Sequence, residues 1–272
     1  MNYSKRGLNV CLLLFCIWNV SASESVDELD ETNGGWKLVG EVAVKDNGRC
    51  NIDRVNGQTL TQEMFINEYA YTKPVIIENI NNDEFQRLTQ KAQMLSKWET
   101  LPVTLNSANT HSYKRIETTF SDYLNTHLKM QSLKVMGNET FYLFGGLDSE
   151  VWKSLLNKYN KPIWSLPRHE AALSFGIAGS GTGAFAEVIF GSKRWFLTPH
   201  EEKPAFDPDK STLDWYLNEY PKLTEDKLPL ECLLKPNEII FFPDKWYHAT
   251  LNTQTSVFIS TFLSPITSKL EL

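Results

Sequence analysis

Histidine is scarce in this chain of 272 residues. There are five, His111, His127, His169, His200 and His248, and the thirty residues between His169 and His200 contain none. No Ser-His-Asp arrangement and no glycine-flanked nucleophile stands out, so the common nucleophilic hydrolase signatures are missing. Basic charge is short as well: 27 Lys and Arg against 33 Asp and Glu give a formal net charge of −6. That balance argues against a nucleic-acid partner, which needs a basic footprint. Repeats and low-complexity tracts are absent. The glycine-rich run Gly176–Gly183 lacks the Gly-Lys-Ser/Thr ending of a phosphate loop and leads into a strand-like segment, so it reads as a bulged or flexible β-connection. Long apolar runs are lacking too. The one unbroken run, Val10 to Trp18, falls well short of the roughly 20 residues that span a bilayer.

That run has a context. Lys5 and Arg6 precede it, Val20-Ser21-Ala22 follows, and no acid occurs before Glu24. This order predicts a secretory signal peptide over residues 1–22, cleaved after Ala22 or Ser23, with an uncleaved anchor as the alternative. No later stretch is long and apolar enough to cross a membrane, so the mature part is expected to be soluble. The chain ends in Lys269-Leu270-Glu271-Leu272, one position away from the KDEL retrieval tetrapeptide, which predicts the endoplasmic reticulum lumen. Ser268-Lys269-Leu270 is not terminal, so the peroxisomal reading fails. Of four cysteines, Cys11 and Cys16 lie in the signal, leaving Cys50 and Cys232. In an oxidising lumen these are either bridged or separately buried. A bridge would stabilise by about 4–5 kcal/mol in the chain-entropy model, less any strain. Asn138-Glu139-Thr140 is the sequon outside the signal and a candidate glycosylation site, or simply a turn.

The mature length suits one large domain with a sizeable core. Ser23 to Gly35 is acidic and turn-rich, and residues 23–45 read as a flexible leader. Helical patterns cover Leu60–Ala70, Asp83–Leu95, Thr119–Leu128, Ser149–Tyr159 and Ser211–Tyr220, with strands at Lys73–Ile77 and Thr140–Phe144. From Ala171 short β-type runs follow one another: AALSFGIA, FAEVIF, RWFL, ECLL, EIIFF, WYHATL and SVFISTFL. Such a succession indicates a jelly roll or related sandwich. The class is α+β, mainly β, with N-terminal helices packed on the sheets.

Two segments carry a resemblance. EIIFFPDKWYHATLN, from Glu238, resembles the second metal-ligand motif of the JmjC family, iron- and 2-oxoglutarate-dependent oxygenases on a cupin-type double-stranded β-helix. GSKRWFLTP, from Gly191, resembles that family's lysine-bearing strand, and SFGIAG, PLEC and TSVFISTFL extend the similarity from about Cys50 to Leu263. The resemblance implies a JmjC-like domain over residues 46–264, with its jelly-roll core at 171–264 and a tail at 265–272. It implies His248 as the distal iron ligand and Lys193 as the 2-oxoglutarate lysine.

The same resemblance implies a His-x-Asp/Glu motif a dozen or so residues before the lysine. Here that stretch reads GSGTGAFAEVIFGS, as though a histidine pair had been deleted between Gly183 and Phe185. A facial triad needs two histidines and a carboxylate with open positions. His248 is then the sole remaining ligand candidate, and rescue would fall to Glu187 or to His169-Glu170. Without the metal, Lys193 reads as a surface or pocket cation and His248 as a hydrogen-bonded histidine behind Trp246. Neither iron nor 2-oxoglutarate is expected in this form; both are expected if the site is completed. Two functions follow. One is a non-catalytic lumenal protein that binds or regulates a protein partner. The other is an iron- and 2-oxoglutarate-dependent protein hydroxylase with an atypical site, or a shortened isoform of one. A gap closed by glycines also predicts that Gly179 to Ala184 is the least ordered part of the sheet.

Overall fold

The computed structural model describes residues 33–41, 43–145, 150–179 and 187–266. The signal segment, the retrieval tetrapeptide and the glycine-rich connection at 180–186 lie outside the described residues, so the expectations that fall on them do too.

The first half alternates short strands and helices: β1 (Asp53–Asn56), α1 (Gln62–Glu68), β2 (Val75–Glu78), α2 (Asp83–Leu88), α3 (Lys91–Trp98), β3 (Pro102–Ser107), β4 (Arg115–Thr119), α4 (Phe120–Asp122), β5 (Phe141–Gly145) and α5 (Glu150–Leu156). The second half is nearly all strand: β6 (His169–Ala178), β7 (Glu187–Phe190), β8 (Lys193–Thr198), α6 (Thr212–Asn218), β9 (Leu230–Leu234), β10 (Ile239–Phe241), β11 (Tyr247–Asn252) and β12 (Ser256–Pro265).

These strands form three sheets, ordered β1-β2-β10, β11-β8-β9 and β4-β3-β5-β6-β12-β7. All their pairings are antiparallel except β1 with β2. Pleating sends alternate side chains to opposite faces, and both faces of the six-stranded sheet are covered. Val257 and Ile259 of β12 pack with Phe175 and Ile177 of β6 against Phe85, Met94, Phe120 and Trp152 on the helical side. Phe258, between them, points the other way and clusters with Tyr142 and Ala178. Trp195, Leu197, Cys232, Leu234 and Val188 form a further cluster with Ile52, Ile76 and Ile240. The mainly-β reading with helices on the sheets holds.

Two differences have local causes. The segment read as one helix over Asp83–Leu95 is α2 and α3, with Gln90 extended between them at ψ 139°. Trp36 Nε1 donates to the Thr89 carbonyl at 2.9 Å, occupying an acceptor that a continuous helix would need. That same Trp36 is fully buried, and Asn33 is 8% exposed, so the span read as a flexible leader is anchored in the helical core at Asn33 to Trp36, whereas Val39 beyond it is exposed. Lys91 N donating to Gly34 O at 2.9 Å fixes it there.

Candidate functional site

Lys193 and His248 sit on neighbouring antiparallel strands. In the register of β8 with β11, Lys193 faces Asn252, Trp195 faces Thr250 and Leu197 faces His248. Pleat alternation therefore puts Lys193 and His248 on one face, the face that also carries Trp195, Leu197 and Cys232. The two are four residues apart along the pair, about 13 Å at strand rise. Gly191, at φ +80° in the turn before β8, sets this strand in place. A Cβ there would fall 2.3 Å from Thr255 O.

Lys193 is fully buried, so of its reading as a surface or pocket cation the surface alternative does not hold. Its Nζ donates to Asn252 Oδ1 and lies 4.2 Å from the centre of the Phe258 ring. Asn252 is in turn tied to the end of β6, its Nδ2 donating to Ala178 O at 3.0 Å and Gly179 O at 3.2 Å. The Phe258 ring lies so close over Gly176 that a Cβ at that glycine would fall 2.3 Å from it. An aromatic ring and an amide thus lie against the amine. Burial holds the amine well below the ordinary lysine range.

His248 is hydrogen-bonded as its local sequence suggests, with Nδ1 3.1 Å from Trp246 O. Its ring centre is 4.8 Å from that of Phe242 and 6.4 Å from that of Trp195. Burial lowers its pKa, opposed by the hydrogen bond to Trp246 O. The neutral imidazole is thereby favoured.

The rescue candidates go elsewhere. Glu187 opens β7 opposite Ile259, hence on the helical side, whereas its neighbour Val188 joins the cluster of Trp195. Its carboxylate accepts from Asn82 Nδ2 at 2.7 Å and from the Tyr159 hydroxyl. Burial pushes its pKa up to about 7, with those two hydrogen bonds acting in the opposite direction. His169 opens β6, where its Nδ1 lies 2.9 Å from Pro167 O. Nine residues, about 30 Å of strand, separate it from Ala178 and the lysine. Among the described residues no three His, Cys, Asp or Glu side chains gather where they could hold a metal ion. Residues 180–186, SGTGAFA, contain none of those four types. This donor set does not fit a 2-His-1-carboxylate iron centre.

A scan against protein-family models gave no match. Individual relatives are informative. Human JmjC domain-containing protein 8 is 39% identical over 259 residues, covering 92% of this chain and 97% of its own length. The mouse protein of that name is 40% identical over 271 residues, covering 95% and 98%. The chain belongs to the JmjC-domain family. More distant JmjC relatives include Arabidopsis thaliana lysine-specific demethylase JMJ21, 26% identical over 79% of this chain and 25% of that protein. Mouse 2-oxoglutarate and iron-dependent oxygenase JMJD4 matches at 32% over 26% of the chain and 19% of its own length.

Cys50 and Cys232 are joined by a disulfide. The residues around it hold the 43–51 segment on the outer face of β8 and β9. Arg194, fully buried, donates from Nε and Nη2 to Glu231 Oε2 at 3.1 and 2.8 Å and from Nη2 to Arg49 O at 2.7 Å. It also reaches Asp46 and Asn47. Asn138 is half-buried in a short turn, its Nδ2 donating to the Tyr113 hydroxyl at 2.9 Å. The partners Asn252, Phe258, Tyr159 and Asn82 were not singled out from sequence. Asn252 alone left a signal there, four residues after His248 on a strand and so on the same face.

Proposed function

We propose that this chain is a JmjC-fold protein of the endoplasmic reticulum lumen that binds a protein partner and carries out no iron-dependent oxidation. The observation that carries this reading is the donor set: no metal-ligating trio gathers among the described residues, and the chain at 180–186 has no histidine, cysteine or carboxylate to add. Fold alone does not confer function, so the loss of ligands outweighs the oxygenase activity in the names of distant relatives. The environment of Lys193 supports the same conclusion. A lysine kept for a dicarboxylate would present its amine to an open pocket, and Lys193 here is fully buried, its Nζ donating to Asn252 and packed over the Phe258 ring.

The lumenal part rests on the signal-like N-terminus, the terminal Lys-Leu-Glu-Leu and a disulfide suited to an oxidising compartment. A glycan on Asn138 belongs to the same proposal. Expression with and without the last four residues tests it. Removing them is expected to send a glycosidase-sensitive protein into the medium. Cytosolic protein with unmodified Asn138 would overturn the lumenal reading.

A second reading, an oxygenase with an atypical iron site, draws on one observation. Lys193 and His248, paired only by resemblance, do share one face. Succinate release from 2-oxoglutarate by the purified protein with iron and a lumenal peptide library would establish it. A transcript restoring histidines between Gly183 and Phe185 would show instead that the chain is a shortened form.

A further inference from the structure

The Cys50–Cys232 bond joins two residues of unequal exposure. Cys50 is exposed, in the segment that leads into β1, whereas Cys232 is 1% exposed on β9 opposite Trp195. Beside the buried sulfur stands a guanidinium: Arg54 Nη2 is 3.5 Å from Cys232 Sγ. Arg54 is held in that position by Glu238 and Glu78, at 2.6 and 2.7 Å from its Nη1, and by Leu233 O, at 2.8 Å from its Nη2. The two carboxylates offset its charge but orient its N–H toward sulfur. Thiol–disulfide exchange runs through attack on the accessible sulfur, and faster when the departing thiolate is stabilised. Access and leaving-group stabilisation here point in one direction.

We propose that Cys50–Cys232 is a thiol-exchange site for a reduced protein dithiol, entered at Cys50, with Cys232 as the leaving sulfur stabilised by Arg54. A partner thiolate attacks Cys50 Sγ and forms a mixed disulfide. The Sγ–Sγ bond breaks and its electron pair leaves on Cys232 as a thiolate hydrogen-bonded by Arg54. The partner's second thiolate then attacks its own sulfur in the mixed disulfide and releases Cys50. The partner ends as a disulfide, and this chain ends as two thiols that have taken up the two protons the partner gave up. The reverse sequence reoxidises the chain. Non-covalent bonds keep the two sulfurs together meanwhile. Asn51 N donates to Glu231 O at 3.0 Å, Glu231 N to Asn51 Oδ1 at 2.7 Å, and Val44 N to Thr253 O at 2.9 Å. The site makes no use of Lys193 or His248, and so stands apart from the iron question.

The test uses purified, folded protein with two probes, glutathione, whose mixed disulfide is trapped by acid quench, and dithiothreitol, which completes reduction. Acid quench, alkylation and peptide mass mapping locate the adduct, and circular dichroism reports the fold. The expected results are glutathione on Cys50 in about tenfold excess over Cys232, and full reduction by dithiothreitol with the spectrum unchanged. Arg54→Gln is expected to slow reduction about three- to tenfold through the raised basicity of the leaving thiolate, with Arg54→Lys in between. A bond that resists both probes until the protein is unfolded by urea would overturn the proposal and leave a structural staple. So would equal labelling of the two cysteines, or an Arg54→Gln rate equal to wild type. The labelling ratio is read on wild-type protein, so a variant that misfolds does not remove the test.

Discussion

Replacing Glu187 by Gln is expected to change how stability depends on pH. In the folded chain the carboxyl has a pKa of about 7, against an ordinary value of 4.5. Burial disfavours the carboxylate, and the Asn82 and Tyr159 hydrogen bonds only partly compensate. Between those two values the folded protein retains a proton that the unfolded chain has lost. The stability this gives is fully present below about pH 4.5 and falls as pH rises through about 7, by about 3 kcal/mol in total. Gln is close in shape to the protonated acid. It can accept from Asn82 Nδ2 and donate to the Tyr159 oxygen, so both contacts survive. Glu187→Gln should therefore match wild type near pH 4 and exceed it by about 3 kcal/mol near pH 8. Urea unfolding of both proteins across that range measures the difference, and titrating groups that do not interact with Glu187 cancel in it. A difference that stays constant with pH would refute the reasoning. So would a variant less stable at pH 8 than at pH 5 relative to wild type.

Further outcomes follow from the same contacts. Because the folded Lys193 amine sheds a proton that the unfolded one keeps, it makes stability rise with pH toward the ordinary lysine range. Lys193→Met should remove that rise in alkaline unfolding curves. Trp36→Ala should cost about 3–5 kcal/mol in urea unfolding, showing that Trp36 belongs to the core. Arg194→Met should cost about 3–5 kcal/mol by leaving the buried Glu231 carboxylate without its main partner, read by thermal unfolding.

The strands around the candidate site were legible because each is a dense apolar run. AALSFGIA, RWFL and SVFISTFL fall within β6, β8 and β12, and WYHATL lies in β11 but for Trp246, which precedes it. β1, β3 and β4 left little trace. DRVN and RIETT are short, mostly polar and at most half-buried, and PVTLNS buries only every second residue. Their pairing is decided by the neighbouring strand rather than by their own composition. The break between α2 and α3 was invisible because its cause, Trp36, lies 53 residues away along the chain. For the site, sequence placed Lys193 and His248 on strands but could not show what surrounds them. Asn252 and Phe258 at the lysine, and Phe242 and Trp195 at the histidine, come from register and packing. Glu187 was close to Lys193 in sequence, yet the pleat of β7 turns it toward the helices. The two cysteines could be bridged or separate from sequence alone, since only three-dimensional distance decides.

Iron binding decides whether the site holds a metal. Purified protein would be titrated anaerobically with ferrous iron, alone and with 2-oxoglutarate, beside His248→Ala, with metal retained after gel filtration as the readout. No stoichiometric iron is expected in either protein while both remain folded. Retention of one iron per chain by wild type, lost in His248→Ala, would contradict this expectation and show that a complete ligand set exists.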